Sequence, residues 1–343
     1  MANSRKAVTM SDIAAKAGVS TVTVSKALAG QKGVGDEMRE KIIALAREMG
    51  YRLPGKTLNA EEAGFRIGVL IPASALCTFD SFYWRLYQAA SEKAMQKNCF
   101  TGYESLTEEM IENNSLPRLV TDHMVDGLIM IGRQKEGYAE FLRKNAQMPV
   151  VYLDFYENGA EVDSFISDSF YGTYLLTDYL FEKGHKEIAY VGSLFTTESI
   201  TDRYLGYLKA MMEHGQKVPE DYCIPDRVVH GDAMDNFTEF ALPGKMPTAF
   251  VCNCDYTASL LISYLESKGF KVPDDISVVG FDNFPGERYF GVGITTYAAD
   301  IPAMAKEAVK SLIRQMSGEK VKKGIHIVEG YLVEKESVRE LGK

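Results

Sequence analysis

Two rhythms of apolar residues divide this chain. Up to about residue 50 the apolar positions recur at helical spacing in three short runs. Thr9 stands before Met10-Ser11-Asp12, a cap with an acid in the first turn, and Ile13, Ala14 and Ala17 give the inner face of a helix that Gly18 ends. Ser20 caps a second helix from Thr21 to about Leu28, with Val24, Ala27 and Leu28 available for packing. A third runs from about Asp36 to Met49, where Met38, Ile42, Leu45 and Met49 fall four, three and four residues apart. Each helix is too short to be stable alone, so their apolar faces must pack together. Residues 51–65 contain a proline and two glycines but no period, which predicts a linker.

From Arg66 onward short apolar runs alternate with helical patterns. Strands are expected at Ile67–Ile71, Gly127–Ile131, Val150–Phe155, Ile188–Gly192, Ala249–Cys252 and Ser277–Phe281. Helices are expected around Phe82–Lys97, Phe170–Lys183, Asp202–His214 and Tyr256–Lys268. Continuous apolar strands alternating with helices imply parallel sheets covered on both faces, which bind ligands at the carboxyl ends of their strands.

At 343 residues the chain exceeds one ordinary domain. No apolar run reaches the roughly 18–20 residues that span a bilayer, and the N-terminus has no continuous apolar segment. No membrane association and no secretory signal are therefore expected. Five scattered cysteines, Cys77, Cys99, Cys223, Cys252 and Cys254, argue against a disulfide framework and for a cytoplasmic protein. Cys252 and Cys254 lack further ligands for a zinc site, so no metal and no cofactor are expected. The net charge of −9 argues against a nucleic-acid partner, but its distribution reverses that inference. Residues 1–60 hold ten basic side chains against five acidic ones, a basic head on an acidic body, which suits a head that meets phosphate.

The segment Val8 to Leu28 is the most informative. Two short helices meet through Ala17-Gly18-Val19-Ser20: glycine allows the sharp turn, Val19 plugs the shared core and Ser20 caps the second helix. That helix exposes Thr21, Val22, Thr23, Ser25 and Lys26, short polar groups for base edges, a methyl group for thymine and a cation for guanine or phosphate. The signature V-T-x-x-D-I-A-x-x-A-G-V-S-x-x-T-V-S-[RK] stands from Val8 to Lys26, continuing through Arg39-Glu40-Lys41 and Met49-Gly50-Tyr51. On these residues the chain resembles the LacI/GalR family of bacterial transcription regulators. The resemblance implies base reading by Thr21, Val22 and Lys26, phosphate contact by Ser20, Thr23 and Ser25, and a place for Thr9 among the DNA-contacting residues. The family linker forms a hinge helix with a leucine wedged into the minor groove. Here Tyr51-Arg52-Leu53-Pro54-Gly55 departs from that pattern, and Leu58 is the candidate wedge.

The resemblance continues through Val151-Tyr152-Leu153-Asp154, Ser167-Asp168, Leu180 to Ala189, Asp202-Arg203-x-x-Gly206-Tyr207, Asp275 to Asn283, and Ile294-Thr295-Thr296. It implies an α/β chain: a three-helix helix-turn-helix headpiece (1–52), a hinge (53–65) and a two-lobed, doubly wound, periplasmic-binding-protein-like sensor (66–343). The first lobe is expected at about 66–163 and 296–322, the second at about 164–295 and 323–343. Carboxylates and a guanidinium suit sugar hydroxyls, and aromatic rings suit the sugar's CH face. The candidate ligand residues are Phe82, Tyr83, Trp84, Asp154, Arg203, Asp255 and Asp282. The expected partners are double-stranded operator DNA, a small carbohydrate effector and a second copy of the chain in a homodimer. At Gly231-Asp232-Ala233 the family often places a stacking aromatic, which Ala233 does not supply. A glycoside hydrolase using Asp154 and Asp282 is the alternative, weakened because no phosphate loop, nucleophile elbow or metal motif accompanies them. A periplasmic sugar-binding protein shares the sensor fold but not the helix-turn-helix head.

Overall fold

The computed structural model describes residues 9–28, 33–49, 64–73, 82–135, 137–157, 159–230, 233–237, 239–284 and 291–342. Most of the expected linker, with Leu58, lies outside these residues, as do Gly231 and Asp232 and the side chain of Ala233. The chain divides into two compact units, residues 1–64 and 65–343.

In the first unit, α1 (Met10–Ala17) opens with a capping box in which Thr9 and Asp12 bond each other's backbone N–H. Gly18 closes it at φ +71°, and the N–H groups of Gly18 and Val19 both return to the Ala14 carbonyl. The left-handed turn releases the chain into α2 (Thr21–Leu28), whose first turn is capped by Ser20 Oγ accepting from Thr23 N–H at 3.1 Å. Ile13, Ala14, Val24, Ala27 and Leu28 then meet Ile42 and Ala46 of α3 (Asp36–Glu48) in one core. The expected stripe on α3 is rotated: Ile42 is central, Leu45 and Met49 flank it, and Met38 is 36% exposed because Ala46 takes the inner place.

The second unit contains two parallel-sheet lobes. The first sheet is ordered β13-β5-β4-β3-β1-β2, from Ile325–Val328, Asp163–Ser167, Val150–Leu153, Gly127–Ile131, Arg66–Pro72 and Phe100–Leu106. The second is ordered β14-β12-β11-β10-β6-β7, from Tyr331–Val333, Thr295–Ala298, Ser277–Phe281, Ala249–Cys252, Ile188–Val191 and Cys223–Ile224. All neighbours are parallel except the β12–β14 pair. The inner strands are buried along their whole length, as apolar runs covered on both faces require. Helix α4 (Phe82–Met95) packs with α11 (Ile301–Met316) on one face of the first sheet. Helices α8 (Ser169–Glu182) and α9 (Glu198–Glu213) cover one face of the second, and α10 (Asp255–Ser267) covers the other.

The chain passes between lobes near residues 168, 299 and 329, which differs from the expected boundaries. Residues 163–167 belong to the first lobe because β5 pairs with β4 and β13. Residues 295–298 belong to the second because β12 pairs with β11 and β14. The segment 325–328 returns to the first lobe as its edge strand, and only β14 and the residues after it lie in the second.

Candidate functional site

In the first unit, packing of Val24, Ala27 and Leu28 inward turns Thr21, Val22, Ser25 and Lys26 outward. Val22 is 61% exposed, a poor place for an apolar side chain unless something covers it. Ser20 and Thr23 are engaged with each other, Oγ to Oγ1 at 2.8 Å. Thr9 is exposed at the head of α1 with its hydroxyl donating to Asp12 at 2.7 Å.

The second constellation lies where strand ends of the two lobes face each other. Strand β4 stops at Leu153 because Asp154 turns into the left-handed region at φ +66°. Strand β11 ends likewise at Asp282, φ +93°. Short acidic side chains tolerate that conformation, and it swings both carboxylates out of the sheets. Arg203 is buried on α9, which starts at Glu198 behind its cap Thr197, earlier than expected. Arg203 therefore sits in the second turn, where the helix dipole does not oppose it. Its Nη2 donates to Asp282 Oδ1 at 3.0 Å and its Nη1 to the Asn253 carbonyl at 2.5 Å, with the guanidinium 3.8 Å above the Phe281 ring.

From the first lobe, Tyr83 reaches the same space. Its hydroxyl is held protonated far above the usual range by burial and by Asp154 and Asp282, against the opposing pull of Arg203 and Arg227. Burial, then Asp282, pushes the Asp154 carboxyl up to about 7, with Arg203 pulling the other way. Burial also raises Asp282, offset by Arg203 and Arg227. The open part of the cleft is bounded by Tyr83, Asp154 and Tyr156 of one lobe and Thr197, Ser199 and Asp202 of the other. Arg133 pairs with Glu198 across it at 2.8 Å, and Tyr156 donates to Asp202 at 3.3 Å.

Tyr83, Asp154, Arg203 and Asp282 thus converge, and the other candidates are placed differently. Phe82 packs on the first-lobe core with its ring edge to Tyr83 at 5.8 Å. Trp84 packs with Tyr87 and with Tyr103 of edge strand β2, at 5.0 and 5.4 Å, and is not part of the convergence. Asp255 is 3% exposed, lies against Gly280 and accepts the Phe284 N–H at 2.8 Å, so it braces the loop after Asp282. His185 joins Thr248 to the Arg339 carbonyl. The residues not foreseen are Asp226, Arg227 and Asn253. Asn253 follows β10 as Asp154 and Asp282 follow their strands, a signal that was available. Among the described residues no cluster of His, Cys, Asp and Glu could hold a metal, and no helix is long and apolar enough to cross a membrane.

Comparison with known proteins agrees with this fold. Residues 9–53 match the family described as bacterial regulatory proteins, lacI family, and residues 177–338 match the periplasmic binding protein-like domain. The HTH-type transcriptional repressor PurR of Vibrio campbellii is 28% identical over 97% of this chain and 99% of its own length. The PurR of Mannheimia succiniciproducens is 26% identical over 97% and 99%. Among solved structures, the lac repressor dimer bound to operator and the anti-inducer ONPF superposes with a TM-score of 0.65 at 23% identity, covering 97% of this chain and 100% of that one. The complex of the transcriptional regulator CelR with cellobiose gives 0.66 at 19% identity, covering 96% and 99%.

Proposed function

This chain belongs to the LacI/GalR family of bacterial transcriptional regulators, and from that premise we propose that its effector is a small carbohydrate gripped between the two sensor lobes. The protein is a sequence-specific DNA-binding repressor with an effector-binding sensor, a regulator and not an enzyme. The observation that carries the carbohydrate reading is the meeting of Tyr83 and Asp154 of one lobe with Arg203 and Asp282 of the other. Carboxylate, guanidinium and phenol from both sides suit a ligand with hydroxyls around its rim, and only a ligand touching both lobes gains by their closure. CelR binds cellobiose on the same fold.

Thr21, Val22 and Lys26 read the bases, and Thr9, Ser20, Thr23 and Ser25 serve the backbone. The protein acts in the cytoplasm as a homodimer on a two-fold operator, since one headpiece buries too little DNA for tight binding. Met95, Phe100 and Tyr103 at the edge of the first lobe are exposed, apolar surface available to a second copy. Operator titrations of the full chain with and without glucose, ribose or cellobiose test the reading. A sugar that changes operator affinity about tenfold or more supports it, and a response to none of a broad sugar panel refutes it. Binding-site selection with Lys26→Ala checks the headpiece: an unchanged consensus contradicts base reading by Lys26.

A further inference from the structure

Besides Arg133, which is paired with Glu198 across the cleft, two guanidinium groups lie at its second-lobe wall, and both arrive already neutralised. Arg203 is paired with Asp282 at 3.0 Å. Arg227, at the start of β8 (Arg227–His230), holds Asp226 through Nε at 3.0 Å and Nη2 at 2.6 Å, and donates from Nη2 to Asn253 Oδ1 at 3.3 Å. Asp226 is buried and also accepts from Ser193 N–H at 2.8 Å, Asn253 Nδ2 at 2.6 Å and Thr257 Oγ1 at 2.8 Å. Those bonds fix the Arg227 fork before any ligand enters. A buried ion pair stabilises a fold little compared with well-packed apolar residues, so this one calls for a role in recognition.

What the pairing leaves over is donor capacity without net charge. Arg203 Nε is buried with no hydrogen-bond partner among the described residues. The hydrogen bonds of Arg227 among those residues use Nε and Nη2, leaving Nη1 to donate. On the opposite wall Asp154 has no counter-ion of its own, since Arg203 is paired with Asp282. Asn253 joins the two guanidiniums, its carbonyl accepting from Arg203 and its Oδ1 from Arg227, and Tyr83 of the opposite lobe feels the charges of Asp154, Asp282, Arg203 and Arg227 together. With Asp226 counted, these are three carboxylates against two guanidiniums.

We propose that the cleft selects an uncharged polyhydroxylated ligand and excludes its phosphorylated and carboxylated counterparts, with Arg227 as a specificity-determining donor to a neutral acceptor oxygen. The inference rests on the carbohydrate reading above and sharpens it. A ring or hydroxyl oxygen accepts from Arg227 with no charge to place, and ligand hydroxyls donate to Asp154. A phosphate or carboxylate gains little from guanidiniums whose charge is spent and, above about pH 7 where Asp154 is ionised, is repelled by it. At a separation of about 6 Å and an effective dielectric near 20 that repulsion weakens binding about a hundredfold.

The test is calorimetric titration of the full chain at pH 8, where Asp154 is ionised, with matched probes: glucose, glucose 6-phosphate and glucuronate; ribose and ribose 5-phosphate; cellobiose and cellobionate. The expected result is a neutral binder whose anionic counterparts bind about 100-fold more weakly. Asp154→Asn should shrink that gap below about tenfold. Arg227→Met should weaken the neutral sugar about 10- to 100-fold, and the Asp226→Asn/Arg227→Met pair, which leaves no buried charge unpaired, should show the same loss with the fold intact. An anionic probe binding as tightly as its neutral partner overturns the charge selection while sparing the carbohydrate reading. Neutral-sugar affinity unchanged in the paired variant removes Arg227 from the site. Silence from every probe, neutral and anionic, overturns the carbohydrate reading itself.

Discussion

Asp154→Asn should stabilise the ligand-free protein at neutral and alkaline pH while impairing its response to sugar. The carboxyl is moved from its ordinary 3.8 up to about 7, first by burial, then by Asp282, with Arg203 opposing. The sign follows from proton linkage. Between those two values the folded chain holds a proton that the unfolded chain has released, so stability falls as pH rises and the loss is complete above about 7. The full loss amounts to about 4 kcal/mol at pH 8. Two effects reduce it: Asp154 still borders the open part of the cleft, and the lobes can part to hydrate it. An effect of about 1–3 kcal/mol is expected at pH 8, or about 2–4 °C in Tm per kcal/mol for a unit of this size. The amide keeps the shape of the side chain and removes the charge. Denaturation of wild type and variant at several values from pH 5 to 8.5 gives the difference directly. It should widen from pH 5 to about 7 and then level off. A difference that stays flat across the range would refute the reasoning, because it would mean that Asp154 titrates as an ordinary surface acid.

Arg203→Ala leaves Asp282 nearly buried without its counter-ion and should cost about 3–5 kcal/mol in urea denaturation, with the Asp282→Asn/Arg203→Ala pair recovering roughly half. Loss of sugar response in the single variant therefore needs the double variant beside it. Burial lowers the proton affinity of His185 from the ordinary 6.5, so the stability it brings is present above that value and is lost as pH falls through the folded-state value. His185→Gln should flatten this acid-side decline, and an unchanged decline would assign it to other groups. Gly206→Ala should cost about 3 kcal/mol or more by thermal denaturation, since a Cβ there collides with the Phe170 carbonyl oxygen and lies 3.0 Å from the Tyr174 amide nitrogen, both backbone atoms.

What the sequence reveals depends on whether an element is dictated by its own residues or by its neighbours. Strands such as Gly127–Ile131 and Ser277–Phe281 are buried on both faces and read as unbroken apolar runs. Edge strands β2, Phe-Thr-Gly-Tyr-Glu-Ser-Leu, and β13, Ile-His-Ile-Val with its first three residues exposed, need no such run and give a weak signal. The lobe boundaries were misplaced for a related reason: whether 163–167 joins one sheet or the other is decided by its pairing with β13, about 160 residues away in the chain. Asp154 and Asp282 were legible as acids ending apolar strands, and Asn253 obeys the same rule. The adjacent charges Asp226-Arg227 carry no sign of burial in the sequence, yet folding buries the acid completely. Phe82, Tyr83 and Trp84 are consecutive on a helix, and successive side chains point about 100° apart, so they cannot all face one cleft. Tyr83 faces it, Phe82 supports Tyr83, and Trp84 joins the edge-strand aromatics.

The response to a ligand depends on how evenly the closed and open lobes are balanced. Across the cleft the lobes share the Arg133–Glu198 pair, the Tyr156–Asp202 hydrogen bond and Arg85 lying 4.9 Å over the Phe284 ring. Partly exposed contacts of this kind contribute about 0.5–1 kcal/mol each. Asp154 opposes closure at neutral pH by an amount of similar size, since parting the lobes rehydrates it. With the two sides nearly offset, open and closed forms are similarly populated, and a ligand that prefers the closed form by about 3 kcal/mol suffices to close nearly all of the molecules. Hydroxyl donors placed on Asp154 act on the opposing side of that balance, and acceptors placed on the fixed Arg227 fork act on the favouring side. The two walls are therefore complementary in their effect on closure: a ligand reaching only one of them binds without moving the lobes far, and the headpiece is informed only when both are engaged.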